Sequence, residues 1–370
     1  MKSQTGWKAL GAVAAVLLAA CGSAPRVPGT STPVVVDKSV ANPVAPRSAA
    51  VQKLIDEGRE LTPLAQSDLV RHFLAATSAL PSIADRTVFR NDNSRDFHSA
   101  AAVAAMPESE RAKLTALKLD ESSYYNTKYG SPLAYMRALD LAAEQGVVNV
   151  SGKRILDFGY GSIGHLRLLA SLGADVTGVD PDNYLEALYG EPGDQGRVAG
   201  VGGLFAHAGS VTLVHGYYPK DAKAVAAVGG NFDLILSKNT LKRGYLKPER
   251  KVANPRQLIH LGVSDEEFLR HIHEALRPGG KFIIYNLYPK PSGPNEPYLP
   301  WSDGRSPFSQ AQFEKAGLRV RAFDTADHAF IRNMGRSLGW DRNAKGEPIE
   351  DYEANLFALY TIVERPSANP

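Results

Sequence analysis

The sequence predicts an α/β fold: a mostly parallel sheet of seven strands with helices on both faces, preceded by a helical extension. Two observations predict it. From Lys153 onward strand-like and helix-like segments alternate, a pattern that makes successive strands parallel and covers both sides of the sheet. Within that alternation, "ILDFGYGSIGHL" (Ile155–Leu166) joins an apolar run ending in an acid to glycines at 159, 161 and 164. Such a loop lets a chain approach a ligand closely at the end of a strand.

Length and composition set the outer bounds. With 370 residues, 44% of them hydrophobic and 22% charged, the chain is one large domain with extensions, or two domains. The 42 basic and 39 acidic residues leave a formal net charge of +3. That balance, without a long basic run or basic–aromatic interleaving, argues against a dedicated nucleic-acid binder.

Taken in order, residues 1–20 come first. Lys2 and Lys8 flank a polar start, and Ala9–Ala20 is an apolar stretch of small residues and Leu. It is too short to cross a hydrocarbon core of about 30 Å but has the length of a signal-peptide core. It ends in Leu18-Ala19-Ala20-Cys21, which resembles the lipobox of bacterial lipoproteins. The resemblance implies cleavage before Cys21, acylation of its thiol and amine, and, because Gly22 follows, sorting to an outer membrane where the cell has one. The alternative is a start assigned too far upstream and a cytoplasmic protein; the next methionine is Met106. Cys21 is the only cysteine, so the mature chain would have no disulfide and no thiolate metal site. Residues 21–50, rich in Pro, Ser and Val, read as a tether.

Residues 51–123 read as a helical lead-in. "LAQSDLVRHFLAATSAL" and "ESERAKLTALKL" place apolar residues three and four apart, with Pro81 and Pro107 as punctuation. The main domain spans 124–366. Ser131-Pro132 is a helix start and Gly146 a stop. Strands are expected at Arg154–Asp157, Asp175–Val179, Val211–Val214, Asp233–Leu236, Lys281–Tyr285, Arg319–Phe323 and Leu356–Val363. "YGEPGDQGRVAGVGG" (Tyr189–Gly203) is either a mobile loop beside a site or a plain connection.

The surroundings of the glycine loop discriminate between cofactors. Asp157 precedes it, and a carboxylate there would repel a pyrophosphate but suits a ligand carrying an ammonium and a sulfonium. "ADVTGVD" ends in Asp180, placed at a strand end to accept hydrogen bonds from ribose hydroxyls. "FDLILS" and "ALRPGGKFIIYN" follow in order. Together these segments resemble the class I S-adenosylmethionine-dependent methyltransferases, over roughly Tyr124–Pro366. The resemblance implies a Rossmann-like sheet closed by an antiparallel strand, here "LFALYTIVERP", and S-adenosylmethionine as cofactor. It implies a cofactor-binding set of Asp157, Gly159, Gly161, Gly164, Asp180, His215 and Tyr217. The Asp157 region and the first two glycines would face the methionine end. "YYNTKYGSP" occupies the place of a segment that closes over the cofactor, with Tyr125, Lys128 and Tyr129 as candidates.

The chain departs from the family pattern twice. "VTLVHGYYP" carries no acid for the adenine, which brings His215 and Tyr217 forward as substitutes. After the fourth strand stands "SKNTLKRGY" where small-molecule methyltransferases often show Leu-Glu-His, and the Asn/Asp-Pro-Pro-Tyr pattern of amino-group methylation on bases is missing, which disfavours a base; the acceptor expected is an unidentified small molecule. Lys238, Asn239 and Tyr245 are the catalytic candidates, with His215, Tyr218, Asp303 and Arg305 nearby in the order of elements. His271 and His273, two apart on a helix, point about 200° apart and cannot share one metal ion; no metal is expected. His165 is expected to pack or cap, and Tyr135 and Met136 to pack. Two other function classes stay open: an envelope lipoprotein that uses the domain as a non-catalytic binding module, and a nicotinamide oxidoreductase.

Overall fold

The computed structural model describes residues 47–94, 96–126, 130–201 and 208–367. Cys21, the signal-like segment, nearly all of the 21–50 stretch, Lys128, Tyr129 and Gly203 lie outside the described residues.

The lead-in opens as the periodicity requires. Helix α1 (Ala49–Leu61) starts at Ser48, whose side chain accepts from Val51 N, and buries Val51, Leu54, Ile55 and Leu61. Helix α2 (Asp68–Ala75) starts at Ser67, which is itself held by the buried carboxylate of Asp140. Beyond it the helical expectation fails. Strands β1 (Arg86–Asn91), β2 (Phe97–Ser99) and β3 (Leu114–Leu119) form an antiparallel sheet in the order β2-β1-β3. In "ESERAKLTALKL" only Glu108–Arg111 is a helical turn. The reason is pairing: β3 matches β1 residue for residue from Arg86↔Leu119 to Asn91↔Leu114. A six-residue ladder outweighs weak helical spacing in a half-exposed segment.

Helix α3 (Glu121–Asn126) follows. A 3₁₀ turn at Pro132–Tyr135 then leads into α4 (Met136–Glu144), with Gly146 at φ +90° past its end. The main domain then runs β4 (Arg154–Phe158), α5 (Gly164–Ser171), β5 (Asp175–Asp180), α6 (Asn183–Leu188), β6 (Gly196–Arg197) and β7 (Ser210–His215). It continues through α7 (Ala222–Val228), β8 (Phe232–Lys238), α8 (Arg243–Leu246), α9 (Asp265–Ala275) and β9 (Leu276–Tyr288). It ends with α10 (Gln310–Lys315), β10 (Arg319–Ala326), α11 (His328–Ser337) and β11 (Phe357–Glu364).

The strands assemble as β10-β11-β9-β8-β4-β5-β7-β6. β7, β5, β4, β8 and β9 pair in parallel, and β11 inserts antiparallel between β9 and β10. All seven expected strands are present. The eighth, β6, comes from the glycine-rich stretch and pairs antiparallel with the edge strand β7. β9 begins at Leu276 rather than Lys281, because Gly279 at φ +77° carries the backbone through Pro278-Gly279-Gly280 after a first contact with β8.

Alternate residues of the central strands feed two cores, as a sheet covered on both faces requires. Ile155, Leu234 and Ile283 join the core under α1, α2, α4, α5 and α11, while Leu156, Ile235 and Phe282 join the one under α7, α9 and α10. Among the described residues no helix is long and apolar enough to cross a membrane.

Candidate active site

Strand order reverses beside β4: β5 lies on one side of it and β8 on the other. A crevice opens at the carboxyl ends of the strands at such a point. Here it is a cleft of about 600 Å³, within the range of about 300–1,000 Å³ typical of small-molecule sites.

One flank is the glycine loop. Gly159 and Gly161 take φ +75° and +60°, and a Cβ on Gly159 would come within 2.2 Å of Thr240 Oγ1. Thr240 in turn donates to the Gly159 carbonyl at 3.3 Å, tying the end of β8 to the loop. Asp180 ends β5 and faces the same cleft. Its carboxylate accepts from the backbone N–H groups of Asp182 and Gly161, while burial pushes its pKa up to about 6. Tyr217, about half exposed, forms the wall beyond β7.

The opposite flank is the end of β8. Lys238, Asn239 and Tyr245 all line the cleft. Asn239 sits at φ +65°, donates its own N–H to the Tyr285 carbonyl and accepts from Leu287 N at 2.8 Å. Its side-chain oxygen therefore braces β8 against β9. The Tyr245 hydroxyl is held up at about 12 by burial.

Beneath the cleft is a buried polar knot. Asp157 Oδ2 accepts from Tyr135 Oη at 2.8 Å and from His165 Nε2 at 2.6 Å, and the Tyr135 and His165 rings stack 3.6 Å apart. Burial lowers the His165 pKa and raises that of Tyr135. His165 is thus a neutral imidazole whose Nε2–H donates, and Tyr135 is a phenol donor. Lys238 Nζ lies 5.4 Å from the Tyr135 ring centroid, and burial brings its pKa down to about 8 against the opposing pull of Asp157. Lys242 is deeper still, donates to the Leu287 and Trp301 carbonyls, and is pushed to about 7 by burial and then by the charge on Lys238.

The structure brings Gly159, Gly161, Asp180, Tyr217, Lys238, Asn239 and Tyr245 to one cleft. It places three of the expected binding residues elsewhere. The Asp157 carboxylate points into the knot. Gly164 serves packing: a Cβ there would meet Tyr125 O at 2.8 Å and Pro132 at 2.9 Å. His215 pairs in register with Asp180 on β7 but does not line the cleft. Tyr125 is fully buried with its hydroxyl on the Pro81 carbonyl, so it is not a lid residue. Arg305 donates to Asp303 and to Glu249 at 2.7–2.8 Å, so both Asp303 and Arg305 are engaged.

Sequence reasoning missed the far wall: Arg256, Leu258, His260 and Leu261 from the connection between α8 and α9, together with Trp301. "NPRQLIHLG" has no periodicity to flag it. The only usable signal is topological, since a long connection leaving the carboxyl end of β8 must fold over the crevice.

No protein-family model and no curated protein matches the chain. Solved structures similar to it include the cyclase SpnF, at 15% identity over 88% of this chain and 98% of that one, with a TM-score of 0.37. The cyclopropane synthase MmaA2 from Mycobacterium tuberculosis is similar at 13% identity over 62% and 84%, TM-score 0.36. A TehB-like SAM-dependent methyltransferase from Corynebacterium glutamicum is similar at 18% over 60% and 85%, TM-score 0.29. Likenesses of this size carry no inference about this chain, whose fold rests on its own strand order.

Proposed function

We propose that this chain is an S-adenosylmethionine-dependent methyltransferase acting on a small-molecule acceptor. The observation that carries the reading is Asp180 facing the same switch-point cleft as Gly159 and Gly161. A carboxylate there, held by two backbone N–H groups, offers its remaining acceptor sites to a vicinal diol, which fits a ribose. The positive-φ glycines leave backbone rather than side chain against the ligand. Two features shape the fit: among the described residues the cleft lining beyond β7 is Gly216, Tyr217 and Tyr218, without an acid, and Asp157 acts through the knot that fixes the loop.

When bound, S-adenosylmethionine would supply an electrophilic methyl group on a sulfonium, with Asp180 and the backbone at Gly159 and Gly161 holding it. The residues of this chain orient and exclude water. Orientation contributes most, since effective molarities reach about 10⁵–10⁸ M for well-aligned groups. Tyr245, held at about 12, donates a hydrogen bond and is no base near neutral pH. Lys238, at about 8, is mainly an ammonium at neutral pH and places a cation at the acceptor end.

The test is calorimetric titration of the full chain with S-adenosylmethionine, S-adenosylhomocysteine and NAD. Binding of the first two and not of NAD, lost in Asp180→Ala, is the expected result. Binding of NAD alone, or of none of the three, overturns the reading; binding without release of S-adenosylhomocysteine across an acceptor screen makes the domain a binding module.

A further inference from the structure

We propose that the acceptor is a carboxylate carried on an aromatic or apolar body, with Lys238 as its anchoring cation. The inference deepens the methyltransferase reading and rests on it.

The charge of the cleft is divided. Its lining acids, among the described residues, are Asp180 and Asp182, both on the flank of β5; its lining cations, Lys238 and Arg256, lie at the end of β8 and on the loop beyond it. The acceptor end thus holds positive charge with no lining carboxylate to balance it. Lys238 is the informative residue. It is 9% exposed, and among the described residues its ammonium has no hydrogen-bond acceptor. Asp157 supplies the opposing charge without a hydrogen bond to Lys238: its Oδ2 accepts from Tyr135 and His165, and its Oδ1 has no hydrogen-bond partner.

A cation mostly withdrawn from bulk water, with only the cleft to solvate it, is poorly compensated, and an anion arriving through the cleft gives it a charge-assisted hydrogen bond. Lys242 cannot take that part, because its ammonium is already committed to two backbone carbonyls. The surrounding wall sets the rest of the class. Tyr245, Trp301, Leu258, Ile259 and Leu261 line the same cleft as Lys238, and the Tyr135 ring lies 5.4 Å from its ammonium, a surface suited to the body of an aryl or alkyl acid. Its lysine pKa near 8 keeps Lys238 cationic at neutral pH.

The experiment titrates the full chain, saturated with S-adenosylhomocysteine, with phenylacetate, hydrocinnamate and octanoate, each against its primary amide. At least one acid is expected to bind about tenfold or more tightly than its amide, a preference of the size that one desolvated charge pair supports. Lys238→Met erases the difference, and Arg256→Gln, at the exposed wall, reduces it. Equal binding of acid and amide overturns the proposal. So does an acid preference that survives Lys238→Met with an unchanged circular dichroism spectrum, or failure of every acid while S-adenosylhomocysteine binds. Failure of S-adenosylhomocysteine itself strikes the cofactor reading instead, and the same titrations on the ligand-free chain then decide the anion claim alone.

Discussion

Asp180 couples the site to pH in a direction the geometry fixes. Accepting hydrogen bonds from ribose hydroxyls requires the carboxylate, and burial has raised its pKa to about 6. Affinity for S-adenosylhomocysteine therefore falls as pH drops through about 6, approaching tenfold per unit below it. Asp180→Asn binds more weakly at neutral pH and loses this dependence; a wild-type affinity that stays flat to pH 5 contradicts the role. The stability contribution of the same group has the opposite sign. Its folded pKa lies above the unfolded one, so its relative stabilisation is present below the unfolded value and is lost as pH rises toward about 6.

Lys238 makes the converse case. Its pKa falls on folding, so between about pH 10 and 8 the unfolded chain takes up the proton first and the native state loses stability. Lys238→Met is expected to melt above wild type at pH 7, with the gap closing toward pH 10. A variant that melts lower at pH 7 would show that the ammonium is compensated within the fold.

At the scale of elements, the contact between α5 and the lead-in tests how the loop is held. Gly164 lets the start of α5 sit against the Tyr125 carbonyl and Pro132. Gly164→Val drives a branched side chain into backbone and is expected to cost about 1–3 kcal/mol or more, seen as a lower melting temperature together with weaker cofactor binding. A second clamp joins the small sheet to the connection between α6 and β6: Arg86 on β1 pairs with the buried Asp194 at 2.9 Å, which also accepts from Tyr124. Arg86→Ala leaves that carboxylate buried without its cation, a change worth about 3–5 kcal/mol in chemical denaturation. No measurable loss would mean that the 86–119 sheet is a dispensable appendage.

These two clamps also show what the sequence concealed. The central strands were legible because each is a short apolar run buried on both faces and stopped by a polar residue, as in "ILDF" and "FDLILS". β1 to β3 were not, because Leu114, Leu117 and Leu119 fit a helix spacing until a partner strand decides the matter. The site divides the same way. Gly159, Gly161, Asp180 and Lys238 stand at strand ends, so the topology brought them together. Asp157 was misplaced because its partners, Tyr135 and His165, come from a preceding turn and a following helix that no local pattern links to it.

At the scale of the whole molecule, attachment to a membrane is a property separate from the fold. The described fold begins its packing at α1, whose Val51, Leu54 and Ile55 share a core with Ile155 of the central sheet, and none of its helices can cross a membrane. Attachment through Cys21 is the expectation to test. Two acyl attachments on one residue suffice for stable anchoring, whereas a single chain binds only marginally. If Cys21 carries lipid at both its thiol and its amine, Cys21→Ser should move the chain from the membrane to the soluble fraction and abolish labelling by a fatty-acid precursor. The melting temperature of the released domain should match that of a chain begun at Arg47. Retention of Cys21→Ser on membranes would assign the attachment to the apolar stretch Ala9–Ala20 itself, as an uncleaved anchor. A soluble, unlabelled wild type would show that Cys21 carries no lipid.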